Sequence, residues 1–282
     1  MSPTFPFVDL ALARRLERAE GTSCARSVEA RAQVFPERGA TWTEIAGTYA
    51  MFDGPDSPIT QTFGLGLFEA PTNEALAAIE RFYEERGAPA FHEVSPLADM
   101  QTFALLNARG YQPFEFTSVM YRAIGQAGQA SQAGRTDQAG SNNVHVRRAG
   151  AEDADLYART AAEGWRESGF AEFVHDMARV YAASQDVDIF LAELDGRAIA
   201  TGVLSIFDGV AHFAGASTIP DGRRRGAQNA LLDHRLRFAA ERGCDIALMG
   251  ALPGSGSQRN AERNGFRIAY TRVKFQRRVN PS

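Results

Sequence analysis

Apolar and polar positions change period along the second half of the chain, and these changes predict alternating strands and helices. Two-residue alternation is typical of a half-buried strand, whereas apolar positions three and four residues apart are typical of a helix. The predicted elements are, in order, helices over 151–165 and 170–183, strands over 187–194 and 198–207, a strand over 210–219, a helix over 226–243, a strand over 244–252, a short helix over 257–266 and a last strand over 267–276. Asp195-Gly196 separates the first two strands and predicts a tight hairpin.

The first half of the chain repeats the later part of this order. Its predicted elements are a strand over 59–68, a helix over 72–87, a strand over 88–97, a helix over 100–111 and a strand over 114–122. Gly87 and Gly110 close their helices at nearly the same spacing as Gly243 and Gly265 do. A tandem duplication is the simplest explanation.

The long helix of each half carries an apolar stripe that predicts a buried face. The stripe residues are Leu76, Ile79 and Tyr83 in the first half and Leu232, Leu236 and Ala239 in the second.

Between the halves, residues 125–143 (GQAGQASQAGRTDQAGSNN) are rich in Gly, Ala, Gln and Ser. Such a segment buries too little apolar surface to order itself, which predicts a flexible linker. We therefore expect one domain over 1–124 and another over 144–282.

Composition narrows the function classes. The 282 residues carry a net charge of −4, and the acidic pI near 5.8 argues against a general nucleic-acid binder. No stretch approaches the roughly 18 apolar residues of a membrane span, and the first residues lack a basic leader before an apolar core. We expect a cytoplasmic protein with no membrane or nucleic-acid partner. Cys24 and Cys244 stand alone, so neither a disulfide framework nor a thiolate metal site is expected.

Three consecutive arginines, Arg223 to Arg225, stand directly before the predicted helix that follows Gly226. The start of a helix already bears partial positive charge, so cations there repel the helix dipole. A bound anion such as a phosphate would compensate them. The sequence therefore predicts an anion site at this turn.

This turn, between a strand and a helix and with Asn264-Gly265-Phe266 further on, resembles the GNAT acyl-CoA N-acyltransferase superfamily. Its signature is Gln/Arg-x-x-Gly-x-Gly/Ala, and Gln228 departs from it at the last position. The resemblance covers roughly 145–282 well and 1–124 as a degenerate copy. It implies an α+β fold in αβα layers, with two GNAT-like domains that each have a mixed, mostly antiparallel central sheet and helices on both faces.

The resemblance implies acetyl-CoA as co-substrate, with its pyrophosphate on backbone N–H groups at the helix start. The implied cofactor-binding residues are Ser217, Thr218, Ile219, Arg223, Arg224, Arg225, Gly226, Ala227, Gln228 and Asn260. The Gln228 side chain either crowds the phosphate or donates to it. In the first half, Glu69 and Pro71 stand where Arg225 and Ala227 would map. Because one repels phosphate and the other has no N–H, we expect that half to be non-catalytic.

Acyl transfer to an amine requires a base, a polarised thioester carbonyl and a proton for the leaving thiolate. His212 matches the position of the general-base glutamate in histone acetyltransferases of this superfamily, and Glu193 is the reserve candidate. The resemblance places a strand bulge that polarises the carbonyl near Ala216, Ser217 and Thr218. Ala261 replaces the family's usual tyrosine acid, which leaves Ser257, Tyr270 or solvent.

The segment 164–170 matches the part of the family that lines the acceptor site. Trp165, Arg166 and Phe170 are the candidate substrate-binding residues, although both aromatic rings fit a plain core equally well.

These expectations combine into a metal-independent N-acetyltransferase that moves an acetyl group from acetyl-CoA directly to a primary amine of a small molecule. Two alternatives stay open: a non-catalytic acyl-CoA-binding sensor or scaffold, and an aminoacyl-tRNA-dependent tandem transferase. The acidic pI counts against the second. We expect a monomer or a homodimer.

Overall fold

The computed structural model describes residues 5–125 and 143–277, so nearly all of the predicted linker at 125–143 lies outside the described residues. The helices are α1 (Leu10–Val34), α2 (Asn73–Glu84), α3 (Met100–Ala108), α4 (Ala154–Glu163), α5 (Ala171–Ala183), α6 (Ala227–Glu241) and α7 (Gly256–Arg263). The strands are β1 (Thr41–Ile45), β2 (Thr48–Phe52), β3 (Gln61–Phe63), β4 (Phe91–Val94), β5 (Tyr111–Ala123), β6 (Val144–Arg148), β7 (Val187–Leu194), β8 (Arg197–Phe207), β9 (Val210–Thr218), β10 (Ile246–Ala251) and β11 (Arg267–Arg277). No helix among the described residues is long and apolar enough to span a membrane.

The described residues group into two compact units. The N-terminal unit contains residues 6–120, 250–258 and 268–277, and the C-terminal unit contains the rest. Most of β11, at the end of the chain, thus belongs with the N-terminal residues. The predicted division into a non-catalytic domain over 1–124 and a catalytic domain over 144–282 stays a prediction.

In the N-terminal unit the strand order is β1-β2-β3-β4-β11-β5. Strand β11 pairs antiparallel with β4, with Val273 opposite Val94. Leu76, Ile79 and Tyr83 of α2 are fully buried in the core, as their spacing predicts. The sequence pattern did not identify α1, whose buried face includes charged residues such as Glu17 and Arg31.

In the C-terminal unit the strand order is β10-β9-β8-β7-β6. Strands β9 and β10 are parallel and the other pairs are antiparallel. Successive strand residues face opposite sides of a sheet. On β7, Ile189 and Leu191 pack in a core cluster with residues of α4 and α5, whereas the Phe190 ring lies 5.1 Å from that of Phe238 on α6. Helices therefore cover both faces, and the predicted fold class is confirmed.

One predicted core position in α6 is wrong. Leu232 and Ala239 are buried, but Leu236 is only half-buried. Leu231 and Arg235 are buried instead. The inward face is rotated because Arg235 reaches backbone carbonyls that a leucine cannot satisfy.

The N-terminal unit contains a buried ion cluster in which three carboxylates surround one guanidinium. Arg272 on β11 lies 3.3 Å from Glu17, 2.9 Å from Glu20 and 3.1 Å from Glu93. The Tyr270 hydroxyl donates to Glu17 at 2.9 Å. Burial raises the pKa of Glu17 to about 7. Arg272 opposes this shift, but the negative charges of Glu20 and Glu93 add to it.

This raised pKa predicts a pH dependence of stability. Folded Glu17 keeps its proton up to about pH 7, whereas the unfolded chain loses it near the ordinary value of 4.5. The unfolding free energy should therefore fall by about 1.4 kcal/mol per pH unit between these values through this group. Urea unfolding from pH 5 to pH 8 should show a smaller decline for Glu17→Gln. Glu84→Gln, at an exposed position of α2, should keep the wild-type decline, and an equal decline in all three proteins would contradict the prediction.

Candidate active site

Strand β9 carries a bulge opposite β8. Val203 pairs with Ala214 and Thr201 pairs with Ser217, so two residues of β9, Gly215 and Ala216, oppose the single residue between Thr201 and Val203. Gly215 has a φ of 58°, a left-handed conformation that glycine adopts without strain. The bulge lies beside Ser217, in the segment where the family resemblance placed it.

Side chains hold two successive carbonyl groups of the bulge. Arg235 Nη1 donates to the Ala214 oxygen at 3.4 Å, and Thr201 Oγ1 donates to the Gly215 oxygen at 3.3 Å. In a trans peptide the N–H points opposite to the C=O. The N–H groups of Gly215 and Ala216 therefore point away from these donors, on residues that are both exposed.

The two parallel strands beside the bulge are paired only in part. Among the described residues, the ladder between β9 and β10 begins at Val210 and ends where His212 lies opposite Leu248. Past this point β9 continues for six residues to Thr218 without ladder pairing to β10. This arrangement leaves the bulge at the open end of the parallel pair.

Helix α6 begins just beyond β9 with a positively charged turn. Gly226 precedes it in the left-handed conformation, with a φ of 82°. Within the part of the chain that the structure describes, no side chain caps this helix start, and the exposed Arg224 and Arg225 side chains have no hydrogen-bond or ion-pair partner. The first-turn N–H groups and the arginines therefore suit an anion.

The corresponding helix start in the N-terminal unit has its own cap. Thr72 accepts a hydrogen bond from the Ala75 N–H at 3.1 Å, and Glu74 adds a negative charge to the first turn of α2. Hydrogen bonding to the backbone lowers the pKa of Glu74, which keeps it ionised. A helix start with a side-chain cap and a carboxylate repels a phosphate rather than binding it.

Arg223 is already engaged by the segment that follows α4. Its guanidinium donates to Glu167 at 2.7 Å and to the Gly164 carbonyl at 3.3 Å. Both side chains of the ion pair are largely exposed, so it contributes little to stability. The contact links the predicted phosphate turn directly to the predicted acceptor segment.

Gln228 uses its side-chain amide inside the protein. Nε2 donates to the Ser217 carbonyl at 2.9 Å and to Thr218 Oγ1 at 2.8 Å. Neither of the two sequence-based alternatives, crowding or donating to a phosphate, describes this contact. Gln228, the residue that departs from the family signature, instead ties the first turn of α6 to the end of β9.

The end of α4 packs closely against the same strand. Ser217 Oγ donates to the Ala161 carbonyl at 2.7 Å, and a Cβ on Gly164 would lie 2.0 Å from that Oγ. Only glycine fits there. Ile219 is buried, and its N–H donates to the Ile199 carbonyl at 3.0 Å, so its backbone serves the fold.

The candidate acceptor residues lie on the surface just after this contact. Trp165 is 41% exposed and Phe170 is 54% exposed, with ring centroids 6.5 Å apart. Their exposure rules out the plain-core interpretation for both rings. Arg166 pairs with Glu163 at 3.1 Å on the surface.

The three catalytic candidates lie in different surroundings. His212 is buried on β9, opposite Ser205 on β8, and 7% of its surface is exposed. Glu193 on β7 is held by Arg147 of β6 at 2.9 Å. Tyr270 belongs to the N-terminal unit, where burial raises its pKa well above its usual value and its proton is committed to Glu17. These contacts give Glu193 and Tyr270 structural partners.

Asn260 on α7 contributes to a small amide network. Its carbonyl accepts from Asn264 Nδ2 at 2.8 Å, and the same Nδ2 donates to Asn229 of α6 at 3.1 Å. The network connects α7 with the first turn of α6.

Sequence reasoning missed three residues of this site: Arg235, Thr201 and Glu167. Only Arg235 left a signal, because it stands at helical spacing between buried Leu231 and Ala239, where an apolar residue would be expected.

Comparison with known proteins finds a family model that matches the part of the chain containing this site. Residues 120–254 match the family model described as an acetyltransferase (GNAT) domain. In fold the chain is similar to a GCN5-related N-acetyltransferase from Kribbella flavida, with a TM-score of 0.62 and 17% identity over 91% of this chain and 96% of that one. It is also similar to a tandem GNAT protein from the clavulanic acid biosynthesis pathway, with a TM-score of 0.56 and 12% identity over 83% and 79% of the two chains. No curated protein sequence matches the chain.

Residues 120–254 therefore match a GNAT domain, in agreement with the family resemblance predicted from the sequence. Domains of this family transfer acyl groups from acyl-CoA, which places this part of the chain among the acyltransferases. The structural likenesses, at these identities, show the fold alone.

The Gln228 contacts predict a structural role for that side chain. Gln228→Leu removes both donors and leaves the Ser217 carbonyl unpaired, which should reduce the unfolding free energy by about 1–3 kcal/mol. Denaturant unfolding of the full chain measures the change. Gln101→Leu, at an exposed position of α3, is the control and should have little effect. Equal stability of the two variants would show that the Gln228 contacts contribute nothing.

Proposed function

We propose that the protein is an N-acetyltransferase that transfers the acetyl group of acetyl-CoA directly to a primary amine of a small molecule. The observation that carries the proposal is the bulge at Gly215 and Ala216 beside the uncapped, arginine-rich start of α6. One feature suits a thioester carbonyl and the other suits a pyrophosphate. They lie on consecutive segments of the C-terminal unit.

The start of α6 would bind the pyrophosphate. Its first-turn N–H groups supply donors, Gly226 permits close approach, and Arg223 and Arg225 balance the charge. Arg223 would exchange Glu167 for the phosphate, because the ion pair is exposed and weak. Ser217, Thr218 and Asn260 would line the rest of the CoA site.

The bulge would polarise the acetyl carbonyl. The Gly215 N–H group points away from Arg235, and the Ala216 N–H group points away from Thr201. Fixed donors of this kind stabilise the negative charge that develops on the carbonyl oxygen as the amine attacks. The C–S bond then breaks, and the thiolate takes a proton from solvent.

His212 would accept the proton that the amine loses. An amine with a pKa near 10 is mostly protonated at neutral pH, so a base assists its attack. Because His212 is 7% exposed, we propose that the proton reaches it through a water molecule. Trp165, Arg166 and Phe170 would hold the acceptor.

The N-terminal unit would bind no acetyl-CoA, since Thr72 caps the helix start that corresponds to α6. A cytoplasmic location and a monomeric or homodimeric state stay predictions.

An amine screen tests the proposal directly. Primary amines of different size and charge are incubated with acetyl-CoA and the full chain, and free thiol is measured. Amine-dependent thiol release supports an acetyltransferase. Calorimetric binding of acetyl-CoA without release for any amine would favour the sensor or scaffold, and no binding would refute both.

The phosphate turn gives a prediction for affinity. Arg223→Ala should weaken acetyl-CoA binding by about 10- to 150-fold, because a charge-assisted contact is lost. Glu167→Gln should leave the affinity equal or tighter, because it removes the competing carboxylate. Calorimetry measures both, with Arg159→Ala on α4 as the control. If Glu167→Gln weakens binding as much as Arg223→Ala does, the ion pair between Arg223 and Glu167 belongs to the binding-competent form. The proposal that Arg223 exchanges Glu167 for the phosphate is then wrong.

His212 gives a prediction for turnover. His212→Gln should lower kcat by about 10²- to 10⁴-fold at neutral pH with the affinity for acetyl-CoA nearly unchanged. The loss should shrink as the pH rises, because the free amine then forms without a base. Steady-state kinetics with the best amine from pH 6 to pH 10 measures this. A pH profile parallel to that of the wild type would assign His212 to the fold.

A further inference from the structure

Arg235 is a buried cation with an unusual set of partners. It is 3% exposed, and no carboxylate among the described residues forms an ion pair with it. Burial lowers its pKa to about 10, so the guanidinium stays charged at neutral pH. Burying a charge without a counter-charge is costly, so a purely structural need to pair these backbone carbonyls would be met more easily by a neutral donor at this inward position of α6.

The guanidinium is placed at the register shift itself. Nη1 donates to the Val203 carbonyl of β8 at 2.9 Å and to the Ala214 carbonyl of β9 at 3.4 Å. These two residues are the last directly opposed pair before the register shifts. A Cβ on Gly202 would lie 2.8 Å from the guanidinium carbon. The absence of a side chain at Gly202 makes room for Arg235 against the sheet.

The contact with Ala214 acts on the neighbouring donor. The Ala214 carbonyl and the Gly215 N–H belong to one planar peptide group. A cation that draws electron density toward the carbonyl oxygen makes the N–H of the same group a stronger donor, and hydrogen bonds in series strengthen one another at low dielectric. Thr201 acts in the same way, but as a neutral donor, on the peptide that carries the Ala216 N–H.

We infer that Arg235 is a positioning residue for acyl transfer, which fixes the β9 bulge and strengthens the Gly215 N–H as a donor to the thioester carbonyl. The inference rests on the proposed function. It adds Arg235 to the residues of the proposed site, as a side chain that does not touch the substrate and acts through the Ala214–Gly215 peptide group.

The experiment separates this role from plain core packing. Full-length wild type, Arg235→Met and Gly202→Ala are compared, with Arg237→Met as the matched control on the outer face of α6, where Arg237 pairs with Asp233. Gly202→Ala retains the arginine and displaces its guanidinium, so it remains informative if Arg235→Met does not fold. Calorimetry gives acetyl-CoA affinity, and difference infrared spectroscopy with carbonyl-labelled acetyl-CoA gives the stretching frequency of the bound thioester.

In the wild type we expect the bound carbonyl to absorb at lower frequency than the free one. Arg235→Met and Gly202→Ala should lose most of this downshift and lower kcat by about 10- to 100-fold, with affinity changed less than about 3-fold. Arg237→Met should match the wild type. A folded Gly202→Ala or Arg235→Met that retains the wild-type frequency and kcat overturns the inference, as does a wild type that binds without a downshift. A wild type that does not bind acetyl-CoA refutes the proposed function itself.

Discussion

The site depends on one irregularity, the extra residue that β9 accommodates between Ala214 and Ser217. A regular strand turns successive N–H groups to opposite sides, so it cannot present two neighbouring donors in one direction. The bulge interrupts this regular alternation, and side chains from two other elements hold it. Arg235 comes from α6 and Thr201 from β8. Gln228 ties the end of β9 to the first turn of α6, so the proposed carbonyl site and the proposed anion site are joined by a direct hydrogen bond.

The starts of helices α6 and α2 differ in charge and in capping. Helix α6 starts without a cap and next to three arginines, an arrangement that opposes its own dipole and is balanced when an anion binds. Helix α2 starts with Thr72 as a cap and Glu74 in its first turn, and therefore needs no ligand. This difference between the two helix starts is the physical basis for proposing that one half of the chain binds the cofactor and the other does not.

Periodicity predicted the elements of the C-terminal unit well, because strands such as β7 and β8 have one continuous core face and their turn, Asp195-Gly196, has a distinctive sequence. It failed for α1, since buried Glu17 and Arg31 interrupt the apolar stripe and find their partners only in the folded chain. The placement of Tyr270 failed for a related reason. Sequence position gave no sign that the end of the chain belongs with the N-terminal unit, where Glu17 accepts the tyrosine proton.

Local motifs predicted where the candidate site lies in the chain but not the side-chain contacts within it. The arginine run and Gly226 predicted an anion turn, and the family resemblance placed the bulge near Ala216, Ser217 and Thr218, where the observed bulge includes Ala216. The hydrogen-bond partners of Gln228 and Arg223 could not be predicted from the sequence, because each contact joins two separate segments of the chain. Arg235 was missed because a charged residue in a helix is ordinarily assigned to the solvent face.

The central claim is that the Gly215 and Ala216 N–H groups bind the acetyl carbonyl, and amide NMR tests it most directly. A labelled full-length sample is titrated with acetyl-CoA and, separately, with coenzyme A. The account predicts that acetyl-CoA moves both amide protons downfield by clearly more than coenzyme A does, while amides in the first turn of α6 respond equally to the two ligands. Equal responses of Gly215 and Ala216 to both ligands would contradict the claim.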